Sequence, residues 1–167
     1  MKEFFEQLYI RRILQYLLYL FIALVVQNML FTQIRPLDVC PMVLPAVAVA
    51  MGMFEGAVWG PLFSLVMGIF ADMAFVENTI FFTLVFPVIS FAAAFISNFF
   101  INRRFFAYMG AAALGLLVTA AGQVLKTAAS DSFSMIMVTT ALLQTVWSLP
   151  FAALVYLPPA RISKIER

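Results

Sequence analysis

The sequence predicts an all-α, polytopic membrane protein whose six transmembrane helices form a single bundle. Hydrophobic residues make up 65% of the 167 residues and charged residues 11%, whereas an ordinary soluble domain has about 45–50% and about 25%. The mean hydropathy is +1.04. A water-soluble core of this size could not bury so many apolar residues, so a soluble globular protein is excluded. The apolar runs are continuous, without the alternation of a membrane-spanning β-strand, which favours helices.

Each span is placed on a stretch of about 20 mostly apolar residues, the length that crosses a bilayer. The six spans are 13–31, 37–54, 57–76, 80–101, 105–125 and 133–157. The pieces between them are too short for a soluble domain, so 1–167 is predicted to be one transmembrane domain. The second span contains Asp38, Pro41 and Pro45, so it is either kinked or begins at Pro41 and crosses only partly. For residues 1–12, an interfacial helix and a frayed polar head both fit the pattern.

Basic residues indicate the orientation of these spans. Six spans put both termini on one side, together with the turn between the fourth and fifth spans. That side carries eight of the ten basic residues: Lys2, Arg11, Arg12, Arg103, Arg104, Arg161, Lys164 and Arg167. The other side carries Arg35 and Lys126. Because basic residues mark the cytoplasmic side, both termini are predicted to be cytoplasmic, in a bacterial inner membrane if the family resemblance described below holds.

The third span carries a stripe of small residues at four-residue spacing. It consists of Gly56, Gly60, Ser64 and Gly68 and ends at Asp72. Small residues four apart let another helix approach closely. We interpret the stripe as internal packing of the bundle; an interface to another protein is the alternative, and both can hold on different parts of it.

A second ridge of small residues lies in the fifth span, at Ala107, Ala111 and Gly115. Close helix packing is again the preferred interpretation, and a partner interface is the alternative. Amides such as Gln27 and Gln144 are scattered along other spans, and hydrogen bonds between helices account for them without a ligand.

A polar site is predicted near the non-cytoplasmic end of the third span. Asp72 and Glu77 lie five residues apart there, on the same side as Arg35 and Lys126. A carboxylate within a span usually faces a partner or a functional site. We favour a structural ion pair over a proton relay.

Enzymatic and cofactor chemistry find little support in the composition. The chain has no histidine and one cysteine, Cys40, so His-based acid/base chemistry, His/Cys metal sites and an intramolecular disulfide are excluded. No catalytic motif is present either. We expect a protein that is not an enzyme, holds no cofactor or metal, and does not bind nucleic acid, because no large basic surface exists.

The segment 56–72, GAVWGPLFSLVMGIFAD, resembles the signature of the rod-shape-determining MreD family, in which glycines recur every four residues and end in an aspartate. Gly56, Gly60, Gly68 and Asp72 match, and Ser64 stands where another glycine is common. The segment from Arg35 to Asp38 is similar to the family's Pro-Asp start of the second span, with Leu37 inserted. Residues 73–78 depart from the family's Gly-rich stretch.

This resemblance implies a non-enzymatic subunit of the complex that elongates the bacterial cell wall. Such a protein binds MreC. It is also connected, either directly or through MreC, to a class B penicillin-binding transpeptidase, a SEDS glycosyltransferase and MreB filaments. It would act by helix docking in the lipid bilayer.

The rival interpretation is a substrate-binding S-component of an energy-coupling-factor vitamin transporter. Those proteins are also small six-helix bundles, so an S-component-like bundle fits both families. Convergence of polar and aromatic groups on one pocket would favour the transporter. Asp72, Glu77, Arg35 and Lys126 would then be pocket candidates.

Overall fold

The structure is a computed structural model that describes residues 2–31, 40–74, 80–99, 105–130, 135–157 and 159. Its helices are α1 (Lys2–Val26), continued by a π-helical turn (Gln27–Phe31), then α2 (Leu44–Ala74), α3 (Phe81–Phe99), α4 (Phe105–Ser130) and α5 (Met135–Val155). The described part of the chain contains no strand. The prediction of an all-α fold is therefore confirmed.

Three of these helices are long and apolar enough to cross a membrane. They are Leu44–Ala74, Phe105–Ala128 and Met135–Val155. The apolar stretches Ile13–Met29 and Phe81–Ser97 are shorter. The chain is thus compatible with a helical membrane protein, and the division into six spans stays a prediction.

Helix α2 folds back on itself at Gly56. This residue has φ 85° and ψ −171°, a backbone conformation that is essentially restricted to glycine. A Cβ built on Gly60 would lie 2.7 Å from the Cα of Gly52 and 2.9 Å from the carbonyl oxygen of Met51. In an uninterrupted helix, residues eight apart are separated by about 12 Å along the axis. Gly56 therefore divides α2 into two antiparallel arms, α2a (44–55) and α2b (57–74), at the predicted boundary between the second and third spans.

Arm α2a lies at the centre of the bundle, and residues 41–54 are all buried. Its two faces belong to two hydrophobic clusters. The first cluster joins α2a to α1, α2b and α3, through Tyr16, Leu20, Leu44, Val47, Met51, Met67 and Phe86. The second joins α2a to α3, α4 and α5, through Ala46, Val49, Met53, Ile89, Tyr108, Ala112 and Ala152. The uniformly apolar sequence of residues 44–54 follows from this position, because all of them are buried, whereas Glu55 at the end of the arm is half-buried.

The start of α2 differs from the predicted second span of 37–54. Residues 40–43, here called the lead-in segment, are not helical, and the helix begins at Leu44. Proline explains the difference. Pro41 disfavours a helical conformation at Cys40, whereas Pro45 falls in the first helical turn, where an N–H has no partner within the helix. Residues 37–39 of the predicted span lie outside the described residues.

Other boundaries differ by smaller amounts. Helix α1 begins at Lys2, so the backbone of the polar head is helical rather than frayed. Helix α4 continues to Ser130, beyond the predicted end at 125. The predicted sixth span of 133–157 contains α5, which begins at Met135.

Candidate functional site

The small residues of α2b lie where this helix approaches the backbone of its neighbours closely. Gly60 contacts the backbone of α2a, as described above. At Gly68, a Cβ would lie 2.7 Å from the carbonyl oxygen of Phe82 and 2.8 Å from the Cα of Thr83 in α3. A Cβ on Gly52 would overlap the carbonyl oxygen of Ser90. These contacts involve backbone atoms, which cannot move aside as a flexible side chain can.

The other two small residues of the stripe have different roles. Gly56 has no atom within 4 Å of the position of a Cβ, so its backbone conformation and not its packing requires glycine. Ser64 is fully buried between the two glycine contacts, and its hydroxyl has no hydrogen-bond partner in the described part of the structure. The stripe therefore faces the interior of this bundle at Gly60, Ser64 and Gly68.

The ridge on α4 is partly internal. A Cβ on Gly115 would lie 3.0 Å from Val49 Cγ2 and 3.1 Å from Ile89 Cγ2, so this glycine packs against α2a and α3. Ala107 and Ala111 are half-buried and pack against the second cluster. Gly110 has no atom within 4 Å of a built Cβ and faces outward.

Asp72 caps the amino-terminal end of α3. Its Oδ1 accepts a hydrogen bond from the Phe82 N–H at 3.0 Å, and its Oδ2 accepts from the Thr83 N–H at 2.8 Å and the Thr83 hydroxyl at 2.6 Å. The first N–H groups of a helix lack partners within the helix, and a carboxylate also interacts favourably with the helix dipole there.

Sequence reasoning did not find this role. Asp72 lies ten residues before Phe82, outside the short spacing that identifies a cap. We expected an ion pair instead. Two of the residues considered for it, Arg35 and Glu77, lie outside the described residues. Phe82 and Thr83 are the partners that the described contacts give to Asp72.

The lead-in segment is held by polar side chains from α5 and from the π-helical turn after α1. Gln27 donates from Nε2 to the Pro41 carbonyl at 3.0 Å and accepts from the Val43 N–H at 2.8 Å. The Met42 N–H donates to Ser148 Oγ at 2.8 Å. Non-helical backbone at membrane depth is tolerated where protein groups satisfy it. These three bonds meet that condition, and Gln27 bonds to this non-helical segment rather than to a neighbouring helix.

Two tyrosines satisfy carbonyls elsewhere in the core. Tyr19 donates to the Val155 carbonyl at 3.0 Å. In a regular helix that carbonyl would accept from residue 159, which is Pro159 and has no N–H. Tyr108 contacts the carbonyls of Ala152 at 3.0 Å and Ala46 at 3.3 Å, and so connects α4 to α5 and α2a. Sequence reasoning gave neither pairing, because the partners are far apart in the chain.

Concave features lie among the described helices. One is an apolar groove of about 530 Å³ between α1 and α2b, lined by residues such as Leu17, Phe21 and Phe70. A second groove, of about 340 Å³, lies between α4 and α5. A small cavity of about 10 Å³ lies between α2a, α4 and α5, and half of its lining residues are polar.

The described residues offer no site for metal chemistry, since no group of three or more His, Cys, Asp or Glu side chains in that part of the chain could hold an ion. Most of the buried polar groups bond to the backbone of a neighbouring element or of their own helix. The arrangement therefore holds helices together and leaves apolar surface for contact with lipid or with other helices. No protein-family model, curated protein or solved structure matches the chain.

Proposed function

We propose that this protein is a non-enzymatic, MreD-like subunit of the bacterial cell-wall elongation complex. In this proposal it lies in the inner membrane with six spans and both termini in the cytoplasm. It binds MreC and, directly or through MreC, the transpeptidase, the glycosyltransferase and MreB, and thereby influences cell shape and peptidoglycan synthesis. It acts by helix docking and catalyses no reaction.

The division of α2 at Gly56 supports the count of six. The two arms, together with α1, α3, α4 and α5, give six apolar helical segments. Arm α2a rises only about 18 Å, less than the roughly 30 Å hydrocarbon core. Its burial makes this length acceptable, because the surrounding helices and not lipid enclose it.

The main support for the proposal is that polar side chains bond to the protein's own backbone. Asp72, Gln27 and Ser148 all bond to backbone groups of a neighbouring element. The two larger concave surfaces, in contrast, are apolar. A protein that docks helices within the bilayer needs apolar outer faces on a firmly held bundle, whereas a catalyst needs converging polar groups.

One observation favours the vitamin-transporter alternative. The lining of the small cavity includes Gln123 and Gln144, and the cavity lies toward the side that is predicted to be non-cytoplasmic. Its volume of about 10 Å³ is far below the roughly 300–1,000 Å³ of small-molecule pockets. The cavity is therefore weak support for a vitamin site, and we place this alternative second.

Crosslinking in native membranes, followed by gentle purification, tests the proposal. We expect MreC and cell-wall synthases to be recovered with the wild-type chain, and depletion of the protein to make rod-shaped cells round. Recovery of paired ATPases and a coupling subunit would overturn the proposal in favour of the transporter. An unrelated inner-membrane protein carrying the same purification tag is the control for nonspecific capture.

A further inference from the structure

Helix α5 leaves one broad face outside the bundle. Of the three helices that are long and apolar enough to cross a membrane, α5 is the least buried. Its buried residues lie on one side of the helix, at Thr145, Ser148 and Ala152. The opposite side, here called the outer face of α5, consists of exposed residues: Leu142, Val146, Trp147, Pro150 and Leu154.

Pro150 leaves a backbone acceptor on this outer face. Proline has no N–H, so the Val146 carbonyl lacks the donor that a regular helix supplies four residues later. Val146 and Pro150 are both exposed, which places this carbonyl on the outer face. In a spanning helix, a neighbouring helix, a Ser or Thr side chain or water normally satisfies such a carbonyl. The hydroxyl of Ser148, two residues away, donates to the Gln144 carbonyl instead.

Trp147 adds a hydrogen-bond donor to the same face. Its side chain is 38% exposed, and the described contacts give its indole N–H no acceptor. Trp147 lies 12 residues after Met135 and eight before Val155, so it is about 12 Å or more from either end of α5. Tryptophan is more typical of the two membrane–water interfaces, where water can accept from the indole.

An apolar groove borders these two polar groups. The groove between α4 and α5, of about 340 Å³, includes Leu142, which lies one turn before Val146. Its lining also contains four alanines, and small residues let the backbone of another helix approach closely. Lipid chains fit an apolar groove as well, but they neither donate to a carbonyl nor accept from an indole N–H. The two polar groups therefore favour a protein occupant over lipid.

We propose that the outer face of α5 binds a transmembrane helix of a partner protein, and that this helix presents a hydroxyl or carboxamide side chain at mid-membrane depth. Such a side chain both donates and accepts. It donates to the Val146 carbonyl and accepts from the Trp147 indole N–H. The inference rests on the proposed function, because it requires α5 to span the bilayer and the protein to act by helix docking.

Binding of synthetic helices in phospholipid vesicles tests the chemistry of this face. The full chain, with a donor dye at its amino terminus, is reconstituted with dye-labelled leucine–alanine peptides that span the bilayer. The peptides carry either asparagine or leucine at their centre. We expect energy transfer to show at least about three-fold tighter binding of the asparagine peptide, the effect of one interhelical hydrogen bond. Equal binding of the two peptides would overturn the proposal.

Two variants test the two groups separately. Pro150→Ala restores the N–H that satisfies the Val146 carbonyl, and Trp147→Phe keeps an aromatic ring without the N–H. Each should at least halve the preference for the asparagine peptide. Alanine suits a helix interior, so Pro150→Ala is expected to fold normally. Pro87→Ala is the control, because it makes the same change within α3. A preference that survives in both α5 variants would contradict the proposed contacts.

Photocrosslinking in native membranes separates this inference from the proposed function. A photoreactive amino acid replaces Val146 or, as the control, Val88, which is similarly exposed on α3. We expect an adduct with MreC from position 146 and none from position 88. If general crosslinking recovers MreC but position 146 forms no adduct with it, or forms one with a second copy of this chain, the inference is wrong and the proposed function stands. If MreC is never recovered but the asparagine preference and its loss in the variants hold, the proposed function fails and the docking face stands.

Discussion

At the scale of single residues, the bundle depends on a few positions where one side chain, or the lack of one, decides the local structure. Gly56 determines where α2 turns back, Gln27 satisfies the non-helical backbone before α2, and Asp72 starts α3. These positions act through different physical causes, namely backbone conformation, buried hydrogen bonding and helix capping. Each cause gives a separate prediction.

Replacing Gly56 with alanine is expected to strain the turn between the two arms. Backbone conformations of this kind cost of the order of 1–3 kcal/mol for a residue with a side chain. Gly110→Ala is the matched control, because Gly110 lies within α4 with open space around it. This variant should be more stable than the wild type by up to about 1 kcal/mol. Unfolding of both variants in detergent micelles gives the two free energies. Equal stability of Gly56→Ala and Gly110→Ala would contradict the assigned conformation.

Replacing Gln27 with leucine is expected to leave the Pro41 carbonyl and the Val43 N–H without partners. A buried backbone group that loses its partner costs about 1–3 kcal/mol. Gln15→Leu is the control, because Gln15 is exposed on the same helix. Thermal unfolding in the same detergent should give similar melting temperatures for the wild type and Gln15→Leu. The melting temperature of Gln27→Leu should be well below both. A Gln27→Leu protein as stable as the control would show that the lead-in segment does not need this side chain.

Replacing Asp72 with alanine is expected to lower the free energy of unfolding by about 0.5–2 kcal/mol, the usual effect of losing a helix cap. Asp72→Asn should lower the free energy of unfolding by less, because its one remaining side-chain oxygen can still accept a hydrogen bond. Thr83→Val removes only the hydroxyl bond and is the comparison for that contact. Denaturant titration with a helicity readout measures all three. If Asp72→Ala is neutral, the carboxylate does not stabilise the start of α3.

At the scale of helices, glycine allows the close backbone approaches between α2a, α2b and α3. Leucine at Gly60 or Gly68 would overlap backbone atoms of the neighbouring helix, so we expect each variant to lose about 1–3 kcal/mol or more through overpacking. Gly110→Leu, at an open position, should be tolerated. Protein accumulation in membranes and thermal unfolding measure the effect. Normal levels and normal melting of both inward-facing variants would contradict the packing.

The helices also show which features of the fold could be predicted from the sequence. Apolar length and the four-residue spacing of glycine depend on local sequence, so the apolar segments and the stripe could be read directly. The partners of Asp72, Gln27 and Tyr108 lie 10 to 62 residues away, and Ser148 lies 106 residues from Met42. These contacts depend on how the helices meet. Pro41 and Pro45 favour the non-helical lead-in segment, but the side chains that satisfy its backbone, Gln27 and Ser148, could not be identified from local sequence.

At the scale of the whole molecule, the fold places the continuously buried arm α2a at the centre. Arm α2a contacts every other helix through two clusters, and the remaining helices present large apolar side chains outward, including Phe106, Leu125 and Met135. An apolar exterior, and an interior in which most polar groups bond to backbone, suit a protein that works inside the bilayer. The proposed scaffold role depends on this arrangement and on α2 folding back.

The most direct test of the fold is the position of Glu55 relative to the membrane. Single-cysteine variants on a Cys40→Ser background are labelled with a membrane-impermeant thiol reagent from either side. If α2 folds back at Gly56, Glu55→Cys lies at the cytoplasmic surface and reacts only from that side, whereas Asp131→Cys, in the loop predicted on the other side, reacts only from there. If α2 is one straight span, Glu55→Cys lies within the bilayer and reacts from neither side, which would contradict both the hairpin and the six-span topology.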